Sequence, residues 1–235
     1  MAAETQVLVD NEKKYIAKFF SDASESDVKK VDISTLSWAK HTITLSGAAS
    51  PNFKIGEVLT VGAEKYLVTG FTAGASTVEV VGWDNTNKKA TAIDASSSNG
   101  DAVSGGVSGN NTRTYSSIAE QDFNVLVTKI MWITNGLQVA IEWDGSGSEA
   151  YIAELAGNGS WSMPGNEWPG IPINATGDTS EVLGDIQFST TGHGSGDSYT
   201  IIMELKKQAP GFDIPAYEEN TSLGFRVDYA KGNFT

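Results

Sequence analysis

Gly184-Asp185-Ile186-Gln187-Phe188-Ser189-Thr190, the loop Thr191-Gly192-His193-Gly194-Ser195-Gly196, and Asp197-Ser198-Tyr199-Thr200-Ile201-Ile202-Met203-Glu204-Leu205 decide the fold class. Tyr199, Ile201, Met203 and Leu205 recur at period two, with Thr200, Glu204 and Lys206 largely on the opposite side, which is the pattern of a half-buried antiparallel strand. The same texture runs outward in both directions. On the C-terminal side, Leu223, Phe225, Val227 and Tyr229 alternate with Arg226 and Asp228, so the end of the chain is expected to be tied into a sheet. On the N-terminal side lie Phe123 to Trp132, Leu137 to Trp143 and Glu149 to Leu155, three further strand candidates. The class that follows is all-β: an antiparallel β-sandwich, jelly-roll-like, of six to eight strands.

The first 36 residues extend this reading. Gln6 to Val9, a turn at Asp10-Asn11 and Lys13 to Phe20 form a hairpin pattern. Tyr15/Phe19 and Ile16/Phe20 also fit helical spacing, but the β-branched and aromatic content favours strand. Ser24-Glu25-Ser26-Asp27 carries a weak helix-start signal, good for a single turn. Val31 and Ile33 alternate in the run from Val28 to Leu36. Between 41 and 83, Thr42–Leu45, Val58–Val61, Lys65–Thr69 and Thr77–Val81 are short strands split by glycine turns, Gly56 among them. This is the spacing of a small barrel or compact sandwich. The expected organisation is therefore a sandwich of 1–36 plus 116–235, a small β-domain inserted at 37–93, and a Gly/Ser/Asn-rich linker at 94–115.

Composition narrows the function. The 235-residue chain has no cysteine, two histidines and a formal charge of −13, which removes thiolate chemistry and disulfide staples and opposes binding to a phosphate backbone. Residues 116–235 hold 16 acidic against 5 basic residues, whereas 37–115 balance at 6 and 6. The start lacks a basic-then-apolar leader pattern, and no stretch approaches the about 18 consecutive apolar residues of a membrane span; a soluble, uncleaved chain is expected.

Each polar motif has a plainer reading. His193, Ser195 and Asp197 share one loop, but a catalytic serine, histidine and acid converge from separate elements; His193 reads as a loop residue, and His41 as a strand-edge residue. Asp144 to Glu149 faintly resembles the start of a calcium loop, and Asp178, Glu181 and Asp185 add carboxylates. Neither run supplies the oxygen count and terminal glutamate that calcium needs. No metal, cofactor or catalytic residue is assigned, and the chain is expected not to be an enzyme; the rival would be a metal-assisted depolymerase using Asp144, Asp178, Glu181 and Asp185. Ser160 to Ile173 gathers two tryptophans and three of the six prolines. Its Trp161, Met163, Pro164, Trp168, Pro169 and Ile171 are the candidate interface residues, against the alternative that they pack the end of the sandwich.

Lys13 to Lys18, Val31 to Leu36, Val139-Ala140-Ile141-Glu142-Trp143, Ile152 to Gly159 and Gly184-Asp185-Ile186-Gln187-Phe188 through Leu205 together resemble virion structural proteins of tailed bacteriophages, particularly those of marine cyanobacteria. The resemblance covers 1–36 and about 118–207, and the middle segment departs from it. It implies a non-enzymatic virion component, first a capsid decoration or cement protein on the head exterior. Its partners would be the major capsid protein or other virion proteins and further copies of itself, with no nucleic acid and no membrane. The alternative is a tail, baseplate or receptor-binding module that contacts host glycan.

Overall fold

The computed structural model describes residues 3–46, 53–72, 74–93, 97–104, 114–120, 123–144, 150–162, 170–172, 184–208, 211–212, 227–228 and 233–234. In chain order the strands are β1 (Glu4–Asp10), β2 (Lys14–Ser21), β3 (Val28–Val31), β4 (His41–Leu45), β5 (Val58–Val61), β6 (Glu64–Phe71), β7 (Thr77–Asp84), β8 (Lys89–Thr91), β9 (Val103–Ser104), β10 (Tyr115–Glu120), β11 (Asn124–Trp143), β12 (Ala150–Ser162), β13 (Ile171–Pro172), β14 (Ile186–Thr191), β15 (Ser198–Gln208), β16 (Val227–Asp228) and β17 (Asn233–Phe234). One 3-10 turn, Ile33–Thr35, is the only helical element among the described residues. The chain is all-β with antiparallel sheets throughout, consistent with the sandwich class. It divides into two compact units, 1–33 with 122–208, and 34–121 with 209–235.

The first unit is one eight-stranded sheet ordered β1-β2-β15-β11-β14-β3, with β12 and β13 also on β11. β14 and β15 do not form a hairpin. Both run antiparallel to β11 along the same flank, β14 on Gln138–Trp143 and β15 on Asn124–Asn135. β2 on β15 and β3 on β14 repeat the arrangement one position outward. The interruptions fall at one level across the sheet: 22–27 between β2 and β3, 192–197 between β14 and β15, and a register shift between Ile133 and Gln138 inside β11. The expected strands at Phe123–Trp132 and Leu137–Trp143 are thus one strand bent at Gly136, whose φ is +75°.

The excursions at this seam are stitched together. Glu25 and Thr190 exchange bonds, the Glu25 amide reaching the Thr190 hydroxyl (2.8 Å) and the Thr190 amide the Glu25 carbonyl (2.9 Å). The Asp27 amide donates to the Ser189 hydroxyl at 2.9 Å. These bonds claim the backbone of Ser24–Asp27, which forms no helical turn, and Asp27 has a φ of +52°. Bending the sheet here brings Phe188, above the seam, edge-on to Phe19 below it with centroids 5.2 Å apart, and within 6.0 Å of Tyr199. All three rings are buried. Burial at both levels is what makes one sheet enclose a core, since a flat sheet would leave this face wet.

Period two holds in β2, where Tyr15, Ala17, Phe19 and Ser21 are buried and Lys14, Ile16, Lys18 and Phe20 only half so. Lys207 falls in the buried phase of β15 and is fully covered. Its ammonium bonds the Asp10 carboxylate and, at 2.8 Å, the Asn11 carbonyl, while the Lys207 amide donates to the Lys13 carbonyl at 2.8 Å. The lysine therefore anchors the β1–β2 turn, itself closed by the Asn11 side chain accepting from the Lys13 and Lys14 amides at 3.0 Å. Burial lowers the Lys207 pKa, and Asp10 opposes that shift.

In the second unit a seven-stranded sheet runs β10-β4-β7-β6-β5-β9, with β8 on β7, and curls so that a bridge from Ala102 to Thr114 joins its two edges. Ile43, Leu59, Val61, Tyr66, Val68 and Val80 fill its interior. Gly56 takes a φ of +86° at the expected tight turn, with its amide bonded to the Val68 carbonyl at 2.8 Å. The stretch expected as linker departs from that reading where it is described: Val103–Ser104 pairs with β5, and Asp101 and Tyr115 bond across the closing edge at 2.8 Å. Val103, 1% exposed, supplies the apolar residue that a polar average conceals. β10 pairs with β4, and the two compact units divide at 121/122. Of the C-terminal pattern, Val227–Asp228 is described and forms β16, which pairs with β17; Leu223, Phe225, Arg226 and Tyr229 lie outside the described residues.

Two stability predictions follow from the seam and the anchor. A Cβ at Gly136 would overlap the Asp197 carboxylate, whereas Gly157, at φ +64°, has open space around it. Gly157→Ala is expected to cost about 1 kcal/mol of backbone strain. Gly136→Ala should cost clearly more, read from urea unfolding midpoints. Asp10→Ala leaves a buried ammonium and should lose roughly 3 kcal/mol near neutral pH. In that variant the unfolded lysine holds its proton to a higher pH than the folded one. Stability therefore rises as pH climbs toward about 10.5; a loss that does not shrink with pH would show that the charge is not the cause.

Candidate interaction surface

The apolar run Ile130-Met131-Trp132-Ile133 in β11 does not alternate, and the structure puts side chains from it on both faces of the sheet. Ile130 is 1% exposed on the core face, whereas Met131 and Ile133 are 40% and 64% exposed on the other. Cross-strand partners share a face, so the outward rows follow from register. Ile133 lies between Thr200 of β15 and Asn158 of β12, and Met131 between Ile202 and Ser160. One strand further out, Thr200 is opposite Phe20 and Ile202 opposite Lys18. Met131, Ile133, Asn158, Ser160, Thr200 and Ile202 border a shallow groove of about 660 Å³. A second depression of about 370 Å³ adjoins it in sequence at the seam, bordered by Gly136, Gln138, Gly157, Thr191 and Gly192. The absent side chains of these glycines make the depression. Such a face, an apolar centre with hydroxyl and amide neighbours, suits contact with another surface.

Of the residues singled out from sequence, the two that are described fall elsewhere. Trp161 is opposite Ile130 and Ile171 opposite Val127, so both lie in core-facing rows and are half-buried. Met163, Pro164, Trp168 and Pro169 lie outside the described residues. The sequence signal for Met131 and Ile133 was the missing alternation, since a strand wetted on one face does not need four apolar residues in succession.

The polar candidates hold the fold. His193 Nε2 sits 3.1 Å from the Asp22 carbonyl, and the Asp197 carboxylate accepts from the Gly194 amide at 2.7 Å. Histidine and acid thus serve separate backbone groups. His41 is buried, with Nδ1 3.2 Å from the Ala39 carbonyl. Asp185 is buried, 2.6 Å from Lys29, and accepts from the Ile33 amide at 2.8 Å; Asp144 approaches the same lysine at 3.8 Å. Burial pushes Asp185 above the usual carboxylate range, and the bond to Asp185 raises Lys29. This brings Asp144 and Asp185 together around a cation of the chain itself, at the point where β3 leaves the sheet. Asp178, Glu181 and Glu149 lie outside the described residues, and no group of three or more potential metal ligands occurs among the described ones.

A second buried ionic group sits at the seam. Glu25 pairs with Lys30 at 2.6 Å and accepts from the Tyr199 hydroxyl at 2.7 Å, with both ionic side chains almost covered. Burial first, and the neighbouring Glu25, drive the Tyr199 pKa far up. The arrangement consumes the groups it contains, since the carboxylate takes both a cation and a phenol, and it fixes the 22–27 excursion against β15.

No family model and no curated protein matches the chain. Among solved structures it is similar to one described as the complete structure of manganese lipoxygenase of Gaeumannomyces graminis with partial structure of zonadhesin of Komagataella pastoris, at 9% identity over 88% of this chain and 84% of that one, TM-score 0.14. It is also similar to the structure of infectious bursal disease virus Gx strain, at 9% identity over 94% and 85%, TM-score 0.12. At these TM-scores neither similarity carries an argument about fold or function.

Proposed function

We propose that the chain is a non-enzymatic virion structural protein that binds the outside of a phage head as a decoration or cement protein, docking through the outward face of its eight-stranded sheet. The observation that carries the docking role is the pair Met131 and Ile133, large apolar side chains 40% and 64% exposed on the outward face of β11. The resemblance of 1–36 and about 118–207 to phage virion proteins supplies the setting. A hydrogen-bonded sheet face is suited to repeated lattice contact, because it is already ordered and little conformational entropy is lost when it docks. Weak sites repeated over a lattice act together by avidity, so a single capsomer can bind feebly while the shell saturates. The −13 charge fits the exterior better than the DNA-lined interior. On this reading His193, Asp144 and Asp185 are structural, and their alanine variants change stability and not a turnover.

The test is to add purified protein to heads that lack it and image them. Ordered density at symmetric lattice positions is the expected result, and Ile133→Lys should abolish it while leaving the free protein folded. Density confined to the tail or portal would overturn the reading in favour of a tail component.

A further inference from the structure

The outward face carries a charge pattern opposite to that of the chain. In a molecule of net charge −13, four lysines project from it: Lys14 and Lys18 of β2, Lys129 of β11 and Lys206 of β15. The carboxylates in the same rows are Glu4 and Glu204. None of the four lysines is within ion-pair distance of a carboxylate among the described residues. Lys14 and Lys206 are moreover direct cross-strand partners. Like charges placed opposite one another destabilise a sheet, and no carboxylate among the described residues is within ion-pair distance of either lysine. By contrast, the core-facing lysine next in sequence, Lys207, is matched to Asp10. Lys18 lies in the same row as Met131, and Lys129, Lys206 and Lys14 lie further from the seam, with Glu204 opposite Lys129, so lysines outnumber carboxylates at the margin of the apolar patch.

We propose that the surface docked by this face is a protein surface with an apolar centre and an acidic fringe, the carboxylates of that fringe meeting Lys14, Lys18, Lys129 and Lys206. The inference rests on the docking role proposed above and names the chemistry of the partner. An apolar centre with charges at its margin is the anatomy of a protein interface, in which charged residues are depleted from the core and retained at the rim. A phosphate backbone would use the lysines but leave Met131 and Ile133 without a role, and the charge of the whole chain opposes it. Rim charges act mainly on association rate and salt dependence, so the lysines steer the approach while the apolar centre holds the complex.

The experiment titrates the full chain onto heads lacking it, at about 50 mM and about 300 mM salt, where the screening length differs about 2.5-fold. Wild type is expected to bind, more weakly at high salt. Lys14→Glu with Lys206→Glu should weaken binding at low salt roughly tenfold and flatten the salt dependence, and Lys14→Arg with Lys206→Arg should restore both. The single variant Lys14→Glu replaces a like-charge pair by an opposite one, so its melting temperature should hold or rise while its binding falls; that opposition separates a binding role from a structural one. Glutamate variants that bind like wild type, or binding indifferent to salt, would overturn the acidic fringe and leave the decoration reading standing. Failure of wild type to bind heads at all would sink the decoration reading and this inference with it. Lysine-dependent binding of a DNA duplex by the free chain would also overturn the proposal.

Discussion

The larger sheet depends on one constraint: β11 is a single 20-residue strand that must bend at Gly136. Above the bend it is flanked by β14, below it by β15, and the change of partner leaves only Gly136 and Leu137 outside both ladders because the Gly192–Asp197 excursion falls at the same level. The Asp197 carboxylate occupies the space that a side chain at position 136 would need. With the seam in place, the core face closes around Phe19, Phe188 and Tyr199, and the other face leaves Met131 and Ile133 exposed while Leu126, Glu142 and Gln187 on it are covered.

The polar residues at the seam show what holds the break in one geometry. A buried ion pair such as Glu25–Lys30 adds little net stability over an apolar substitute, because desolvation offsets most of the attraction. It does fix position, since the carboxylate must meet both the ammonium and the Tyr199 hydroxyl. The Asp185–Lys29 pair does the same where β3 leaves the sheet, and Lys207 where β1 turns into β2. These three ionic groups lie at the points where alternation alone leaves register or exit direction open, which suggests a specifying role.

Strand identity was legible wherever period two was clean. The β1–β2 hairpin, β4 to β7 and β15 were all readable, as was the turn at Gly56, because side-chain alternation and glycine punctuation are local properties. Connectivity was less so. The Gly192–Gly196 loop has the composition of a hairpin turn, yet it joins two collinear strands; local sequence does not say whether a glycine loop reverses the chain or steps across a bend. The strand Val103–Ser104 was hidden for a similar reason, its single buried valine lying within a serine- and glycine-rich average. Of the interaction surface, the aromatic segment drew attention by composition, whereas Met131 and Ile133 are ordinary strand residues. What sets them apart is the face on which register puts them.

That placement makes the central claim measurable on one side chain. Met131 is 40% exposed on the outward face, while Met203, four positions from Tyr199 along β15, is 1% exposed on the core face and serves as an internal control. Oxidation of an accessible methionine to its sulfoxide is fast and visible as a mass shift. Footprinting the free protein and the same protein bound to heads should show Met131 oxidised when free and protected when bound, with Met203 protected in both. Equal oxidation of Met131 in the two states, on heads that carry the protein at full occupancy, would contradict docking through this face.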